Sequence, residues 1–190
     1  LAPNERIRTE ALREGDHIKV YVVEVRNSTR GPQVLISRTH PGLVKRLFEM
    51  EVPEIFDGTI EIKAVSRQAG AKSKLAVYSA NEEIDAVGAC IGQRGARVNK
   101  IVEELSGEKI EIVKYSEDPV MYISEALSPA KVVSVEILSE EPKACRATVP
   151  DSQLSLAIGN KGQNVRLAAR LTGWKIDIRP ESGYYGEDEE

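Results

Sequence analysis

The chain has 190 residues, of which 41% are hydrophobic and 29% are charged, a composition typical of a globular protein with up to about three small domains. No apolar run approaches the roughly 18 residues of a membrane helix, and no signal peptide is recognisable, so we expect a cytoplasmic protein with no membrane partner. The formal net charge of −4 disfavours, by itself, a polyanionic ligand.

The acidic charge is concentrated at the end of the chain. Five acidic residues lie within 181–190, so residues 1–180 carry about one positive charge. We predict that 181–190 is a disordered acidic tail. Between Ile158 and Arg179 five basic residues accompany a single acidic one, Asp177, so a polyanion could still bind locally. The chain begins with Leu1, and we expect it to be a fragment of a longer protein.

Residues 1–40 have the pattern of a β-hairpin. A turn at Glu14-Gly15-Asp16 precedes the alternating residues of Ile18–Val25, a second turn is predicted over Asn27–Pro32, and Val34–Ile36 begins a second strand. Two strands form no independent core.

The following elements alternate between helix and strand patterns. Asp85 is positioned to cap a short helix that ends at Ile91, and Val98, Ile101 and Leu105 form one apolar stripe on the next helix, which Gly107 ends. The elements expected before them are a helix at Leu43–Met50, strands at Thr59–Val65 and Leu75–Val77, and a polar turn at Gln68–Lys74.

A repeat organises the chain. Residues 91–98 and 158–165 both read I-G-x-x-G-x-x-V, and the downstream blocks 105–112 and 171–178 also match. The second copy follows a predicted helix at Pro119–Leu127 and strands at Val132–Leu138 and Ala144–Val149. No Gly/Ser-rich linker separates the copies, which predicts a rigid tandem.

The G-x-x-G loops have the chemistry of a phosphate site. Glycines allow a ligand backbone to approach, and the next helix offers unpaired N–H groups and the positive end of its dipole. Gln93 and Arg94, or Asn160 and Lys161, add further donors. The alternative is a helix-turn-helix packing corner without a ligand.

The order helix-strand-strand-helix-helix-strand around each loop resembles the prokaryotic, type II KH domain. That resemblance implies an α+β fold of two layers, with three strands in a mixed sheet and helices on one face, and single-stranded RNA as the partner. The expected domains are 1–40, 41–116 and 117–180, followed by the tail at 181–190. The implied RNA-binding residues are Gly92, Gln93, Arg94, Gly95, Arg97, Gly159, Asn160, Lys161, Gly162 and Arg166.

The remaining motifs extend the resemblance. Glu14-Gly15-Asp16 and Gly31–Thr39 resemble the last third of the S1-type OB domain, although an ordinary hairpin is the alternative. With Glu51–Ile55, Ala126–Val132 and Leu154–Gly159, the whole order closely resembles the NusA family of bacterial transcription factors. The resemblance implies a monomer that binds nascent RNA and affects pausing, termination and antitermination, with RNA polymerase as a partner of the parent protein.

Two other classes compete with this interpretation. One is a different KH protein, acting in ribosome assembly or RNA processing. The other is an enzyme, which the absence of phosphate-loop, dinucleotide-binding and nucleophile-elbow motifs disfavours, so no catalytic residue, cofactor or metal is expected. Cys90 and Cys145 fit buried reduced cysteines. Trp174 fits a packing residue. Candidates for the apolar wall of a base-binding groove are Val87, Ile91, Leu154 and Ile158, with core packing as the alternative and as the preferred interpretation for at least half of them.

Overall fold

The computed structural model describes residues 1–183, which form two compact units, Leu1–Ile112 and a second that starts at Val113. The predicted acidic tail lies outside the described residues from 184 onward. None of the helices within 1–183 is both long and apolar enough to cross a membrane.

The first unit begins with the predicted hairpin. Strands β1 (Tyr21–Ser28) and β2 (Gly31–Ser37) are antiparallel, and Ser28 lies opposite Gly31. The turn therefore contains only two residues, and the predicted six-residue turn was too long because Asn27 already pairs with Pro32. The strands form a two-stranded sheet, on which Val22, Val25 and Val34 are exposed.

Arg38 joins this hairpin segment to the rest of the first unit. Its buried guanidinium forms an ion pair with Glu10, donates to the Lys19 carbonyl at 2.7 Å, and reaches the side chain and backbone carbonyl of Glu104 at 3.1 and 2.9 Å. Charge-assisted hydrogen bonds of this kind are about twice as strong as neutral ones. Residues 1–40 are thereby held against the helix that contains Glu104.

The remainder of the first unit is a sheet covered by helices. The elements are α1 (Pro41–Glu51), α2 (Pro53–Phe56), β3 (Glu61–Gln68), β4 (Lys72–Tyr78), α3 (Ala86–Ile91), α4 (Ala96–Glu104) and β5 (Lys109–Lys114). The sheet order is β3-β4-β5. The core joins Leu47 and Phe48 on α1 to Leu75 on the sheet, to Ile101 on α4 and to Leu105 just after it.

The turn between β3 and β4 is shorter than predicted, because residues of the turn and of β4 bond to a buried ion pair. Glu108 and Arg67 are buried together, with Oε1 and Nη2 3.0 Å apart. Glu108 also accepts from the Gly70 amide at 2.7 Å and from the Ser73 hydroxyl at 2.9 Å. These bonds satisfy a buried carboxylate, which would otherwise be strongly unfavourable, and leave only residues 69–71 outside the strands.

The second unit repeats the order of elements. Strands β6 (Ser134–Glu140) and β7 (Lys143–Val149) are antiparallel, and β8 (Lys175–Pro180) lies parallel to β7. The two helices between β7 and β8 supply the crossover that a parallel pair requires. Trp174 precedes β8 and is buried, in agreement with its predicted packing role. The elements are α5 (Pro119–Ala126), β6 (Ser134–Glu140), β7 (Lys143–Val149), α6 (Leu154–Ile158), α7 (Gln163–Thr172) and β8 (Lys175–Pro180).

Both units thus have the order helix-strand-strand-helix-helix-strand, with an additional short helix, α2, in the first. The predicted α+β fold, with two KH-type units preceded by a β-hairpin, is confirmed. In each unit the G-x-x-G sequence lies between the last two helices, where the chain reverses direction.

Candidate nucleic-acid interface

The two G-x-x-G loops have the same backbone conformation. Gly92 and Gly159 both have φ 78°, with ψ 171° and 170°. Arg94 and Lys161 are left-handed, with φ 54° and 53°, a region that side chains other than Asn and Asp seldom adopt. Within residues 1–183 they are two of only three non-glycine residues with positive φ. Such outliers concentrate at functional sites.

The first glycine of each loop is required by a close approach. A Cβ atom at Gly92 would lie 2.9 Å from the backbone nitrogen of Arg97, and one at Gly159 would lie 2.7 Å from that of Asn164. Because these contacts are with backbone, a larger residue could not be accommodated by a side-chain rotation. The glycine therefore lets the loop fold back against the first turn of the next helix.

The second glycine of each loop begins the next helix without a side-chain cap. Gly95 and Gly162 are the N-cap residues of α4 and α7, and neither supplies a side-chain cap. The first amide groups of an α-helix have no partner within the helix, and they lie at the positive end of its dipole. The first amide of each helix, which was expected to be unpaired, is bonded inside the loop: Ala96 N–H donates to the Gln93 carbonyl, and Gln163 N–H donates to the Asn160 carbonyl. What each loop offers an anion is therefore the positive end of the helix dipole.

The residues between the glycines point into solvent. Gln93, Arg94, Asn160 and Lys161 are all exposed. In the described part of the chain, neither the guanidinium of Arg94 nor the ammonium of Lys161 forms a hydrogen bond or an ion pair. Their charges are consequently available to a ligand at the adjoining helix start.

The two other predicted cations are already engaged. Arg97 donates from Nη1 to the Ala89 carbonyl at 2.7 Å and to Glu54 at 2.9 Å. Arg166 donates to the carbonyl of Lys161, so its guanidinium lies over the second loop. Both residues are at their loops, but only Arg97 has a carboxylate partner.

A cleft of about 460 Å³ adjoins the first loop. Val87 and Ile91, which the sequence offers as candidates for an apolar groove wall or for the core, do not line this cleft, and Val87 packs against the core of the first unit. The cleft is lined instead by small residues on one side of α3, which let it approach the helix backbone. Small residues leave no periodic signal in the sequence. The lining residues are Gly88, Ala89, Gly92, Gln93, Ala96 and Arg97. In the second copy, Leu154 and Ile158 are half-buried.

Asn164 was missed by sequence reasoning. It occupies the position in the second copy that Arg97 occupies in the first, and only 3% of its surface is exposed. Its amide donates to the carbonyls of Ala157 at 2.9 Å and Leu127 at 3.1 Å. The available signal was the shared position, two residues after the second glycine, where each copy places a side chain with several N–H donors.

The cysteines are buried and form no disulfide, as predicted. Burial raises the pKa of Cys90 to about 12 and that of Cys145 to about 11. Neutral thiols are poor nucleophiles and poor metal ligands. Across residues 1–183, no group of three or more His, Cys, Asp or Glu side chains is arranged to hold a metal ion.

A three-stranded sheet with its helix pair and G-x-x-G loop, present twice, defines the class of tandem KH domains. The family descriptions that match are a NusA-like first KH domain over residues 38–115 and a NusA-like second KH domain over residues 119–185. The chain belongs to the NusA family.

Curated relatives carry the name "Transcription termination/antitermination protein NusA". Those of Halalkalibacterium halodurans and Bacillus subtilis are 60% and 57% identical, over 94% and 96% of this chain. That of Thermus thermophilus is 48% identical over 93% of it. The matches cover 47%, 49% and 45% of the relatives, so the chain spans about half of their length.

One solved structure, "Crystal structure of APE1850", agrees in fold. It matches with a TM-score of 0.53 and 22% sequence identity, over 72% of this chain and 95% of that one.

Proposed function

We propose that this chain is the single-stranded RNA-binding part of a bacterial transcription factor that modulates pausing, termination and antitermination. The observation that carries the proposal is the duplicated loop, which places an exposed cation, Arg94 or Lys161, beside an uncapped helix start. The names of the relatives support the transcriptional role.

The loops suit an RNA backbone better than a single small anion. One KH loop clamps the backbone of about four nucleotides. The contacts we propose are with the positive N-terminal ends of α4 and α7 and with the side chains of Gln93, Arg94, Asn160 and Lys161. Arg97 and Arg166 add charge beside the loops.

The proposal also concerns the parent protein. We infer that it contacts RNA polymerase, acts in the cytoplasm as a monomer and is not an enzyme. The relatives are named as transcription proteins, and they are about twice as long as this chain. The polymerase contact is therefore assigned mainly to regions outside it.

The test changes each loop without changing its glycines. One variant carries Gln93→Asp and Arg94→Asp, and the other carries Asn160→Asp and Lys161→Asp. Aspartate tolerates the left-handed conformation and suits a helix N-terminus, so each melting temperature should stay close to that of the parent. RNA affinity should fall, because two carboxylates replace one cation where a phosphate binds.

Melting temperature and affinity for a single-stranded RNA of about ten nucleotides are measured on the same samples. The second variant should lose more affinity, because five basic residues and only one acidic residue occupy 158–179. If both variants fold and bind RNA as tightly as the parent, the loops are packing corners and the proposal is wrong.

A further inference from the structure

We propose that the Glu54 carboxylate competes with RNA phosphate for Arg97 and thereby weakens RNA binding at the first loop. This inference rests on the proposed function and adds to it a residue that sets the relative strength of the two loops. Glu54 lies on α2, outside the repeated motif.

Glu54 contacts a residue that lines the cleft. Its Oε2 lies 2.9 Å from Nη1 of Arg97, and Arg97 lines the cleft beside Gly92 and Gln93. Both side chains of the pair are partly exposed, at 29% for Arg97 and 36% for Glu54. An anion in the cleft can therefore reach the guanidinium, and it meets the carboxylate there.

Arg97 does not need Glu54 to stay at the cleft. The Ala89 carbonyl accepts from the same Nη1 at 2.7 Å, which anchors the guanidinium to the last turn of α3. A guanidinium has five N–H donors, and within residues 1–183 the bonds of Arg97 use Nη1 alone. Glu54 thus contributes mainly negative charge, which cancels the cation and repels a phosphate.

The second copy has no equivalent carboxylate in the described part of the chain. Asn164, which takes the place of Arg97, is neutral, and its Nδ2 donates to the carbonyls of Leu127 and Ala157. Its nearby guanidinium, Arg166, is also held by a carbonyl, that of Lys161, and keeps its full charge. Beside the cations at the loops, the two copies therefore differ by one carboxylate, that of Glu54, which pairs with Arg97 in the first copy.

The experiment substitutes Glu54→Gln, which removes the charge and keeps the shape. It is made in the parent chain and in the Asn160→Asp/Lys161→Asp chain, where the first loop is measured alone. Affinity for a labelled single-stranded RNA of about ten nucleotides is followed by fluorescence anisotropy over a salt series. We expect affinity to rise about fivefold at low salt, the scale of an exposed charge pair.

Salt dependence separates this effect from a structural one. If Arg97 gains a phosphate partner, the slope of log affinity against log salt should steepen by up to roughly 0.7, the value for one contact on a single strand. The gain should shrink at high salt because screening weakens exposed charges. A change in packing would alter affinity without changing the slope.

Glu51→Gln is the matched control. Glu51 forms a similar ion pair with Lys100, 3.1 Å apart, on the same helix α4, but Lys100 does not line the cleft. We expect this variant to leave the slope unchanged. An equal effect of both variants would mean a general charge effect and would overturn the proposal.

Two further outcomes are decisive. Unchanged or lower affinity of Glu54→Gln, while Gln93→Asp/Arg94→Asp still abolishes binding at the first loop, refutes the role of Glu54 alone. If the aspartate variant also leaves affinity unaltered, the first loop binds no RNA, and the proposed function fails there as well.

Discussion

Burial controls the chemistry of the two cysteines. Cys90 lies on α3, two residues before Gly92, and Cys145 lies on β7, the central strand of the second sheet. For Cys90, burial is the main cause of the raised pKa, and the Glu54 charge adds to it. Both thiols are therefore protonated at physiological pH.

We predict that neither cysteine reacts with a thiol reagent in the folded protein at pH 8, and that both react in denaturant. The thiolate is the reactive form, and the folded pKa values are about 12 and about 11. Reagent titration with and without denaturant measures this. Labelling of Cys90 in the native chain at the rate of a free cysteine would contradict it.

The same shifts predict a loss of stability at alkaline pH. The unfolded thiols ionise near their ordinary value of 9.0, whereas the folded thiols keep their protons to higher pH. The folded state then binds more protons, so the free energy of unfolding declines as pH rises from about 9 toward 12. Urea unfolding at pH 8 and pH 10 should differ less when both cysteines are replaced by alanine.

Three helices of the second unit meet at one buried amide. Asn164, on α7, bonds to the end of α5 at Leu127 and to α6 at Ala157. In the first unit Arg97 makes the equivalent connection to α3 at Ala89. Asn164 and Arg97 each hold together the two helices that flank a G-x-x-G loop. The shape of each loop therefore depends on one residue outside the glycines.

We predict that Asn164→Ala destabilises the second unit by about 1–3 kcal/mol, the cost of leaving buried polar groups unpaired. Trp174 is the single tryptophan and lies in this unit, so its fluorescence during urea unfolding reports the change. Asn160→Ala, which removes an exposed amide in the same loop, should stay within about 0.5 kcal/mol. Equal effects would show that the buried bonds contribute nothing.

Helices and loops were predictable from the sequence because helices leave a periodic apolar pattern and loops contain glycines. The stripe of Val98, Ile101 and Leu105 identifies α4, and paired glycines identify the reversals before α4 and α7. Turn lengths were not predictable, since strand register and the buried Glu108 decide where pairing stops. The small residues that line the cleft and the buried Asn164 were not predictable, because small residues and buried amides form no pattern in one sequence.

At the scale of the whole molecule, the hairpin segment is part of the first compact unit. Arg38 pairs with Glu10 and Glu104, and these charges raise its pKa although burial opposes them. Arg67 adds a bond from the sheet to the His40 carbonyl at 2.9 Å. We infer that residues 1–40 and the sheet of the first unit fold together.

We predict that Arg38→Ala costs the first unit about 3–5 kcal/mol, because Glu10 remains buried without its partner. Hydrogen exchange should show loss of protection across residues 1–112, with Trp174 fluorescence unaffected. Arg46→Ala breaks an exposed pair with Glu49 and should cost at most about 1 kcal/mol. If protection is lost in the hairpin alone, the segment is a separate folding unit.

The left-handed residue between the glycines limits how each loop can evolve. Branched side chains such as valine are strained there, whereas asparagine and aspartate are tolerated. Substitution of Lys161 by aspartate would leave the fold intact and replace the positive charge of the loop by a negative one. One copy of a duplicated loop can therefore lose RNA binding without a cost in folding. Sequence change can in this way redistribute binding between the two copies while both keep their shape.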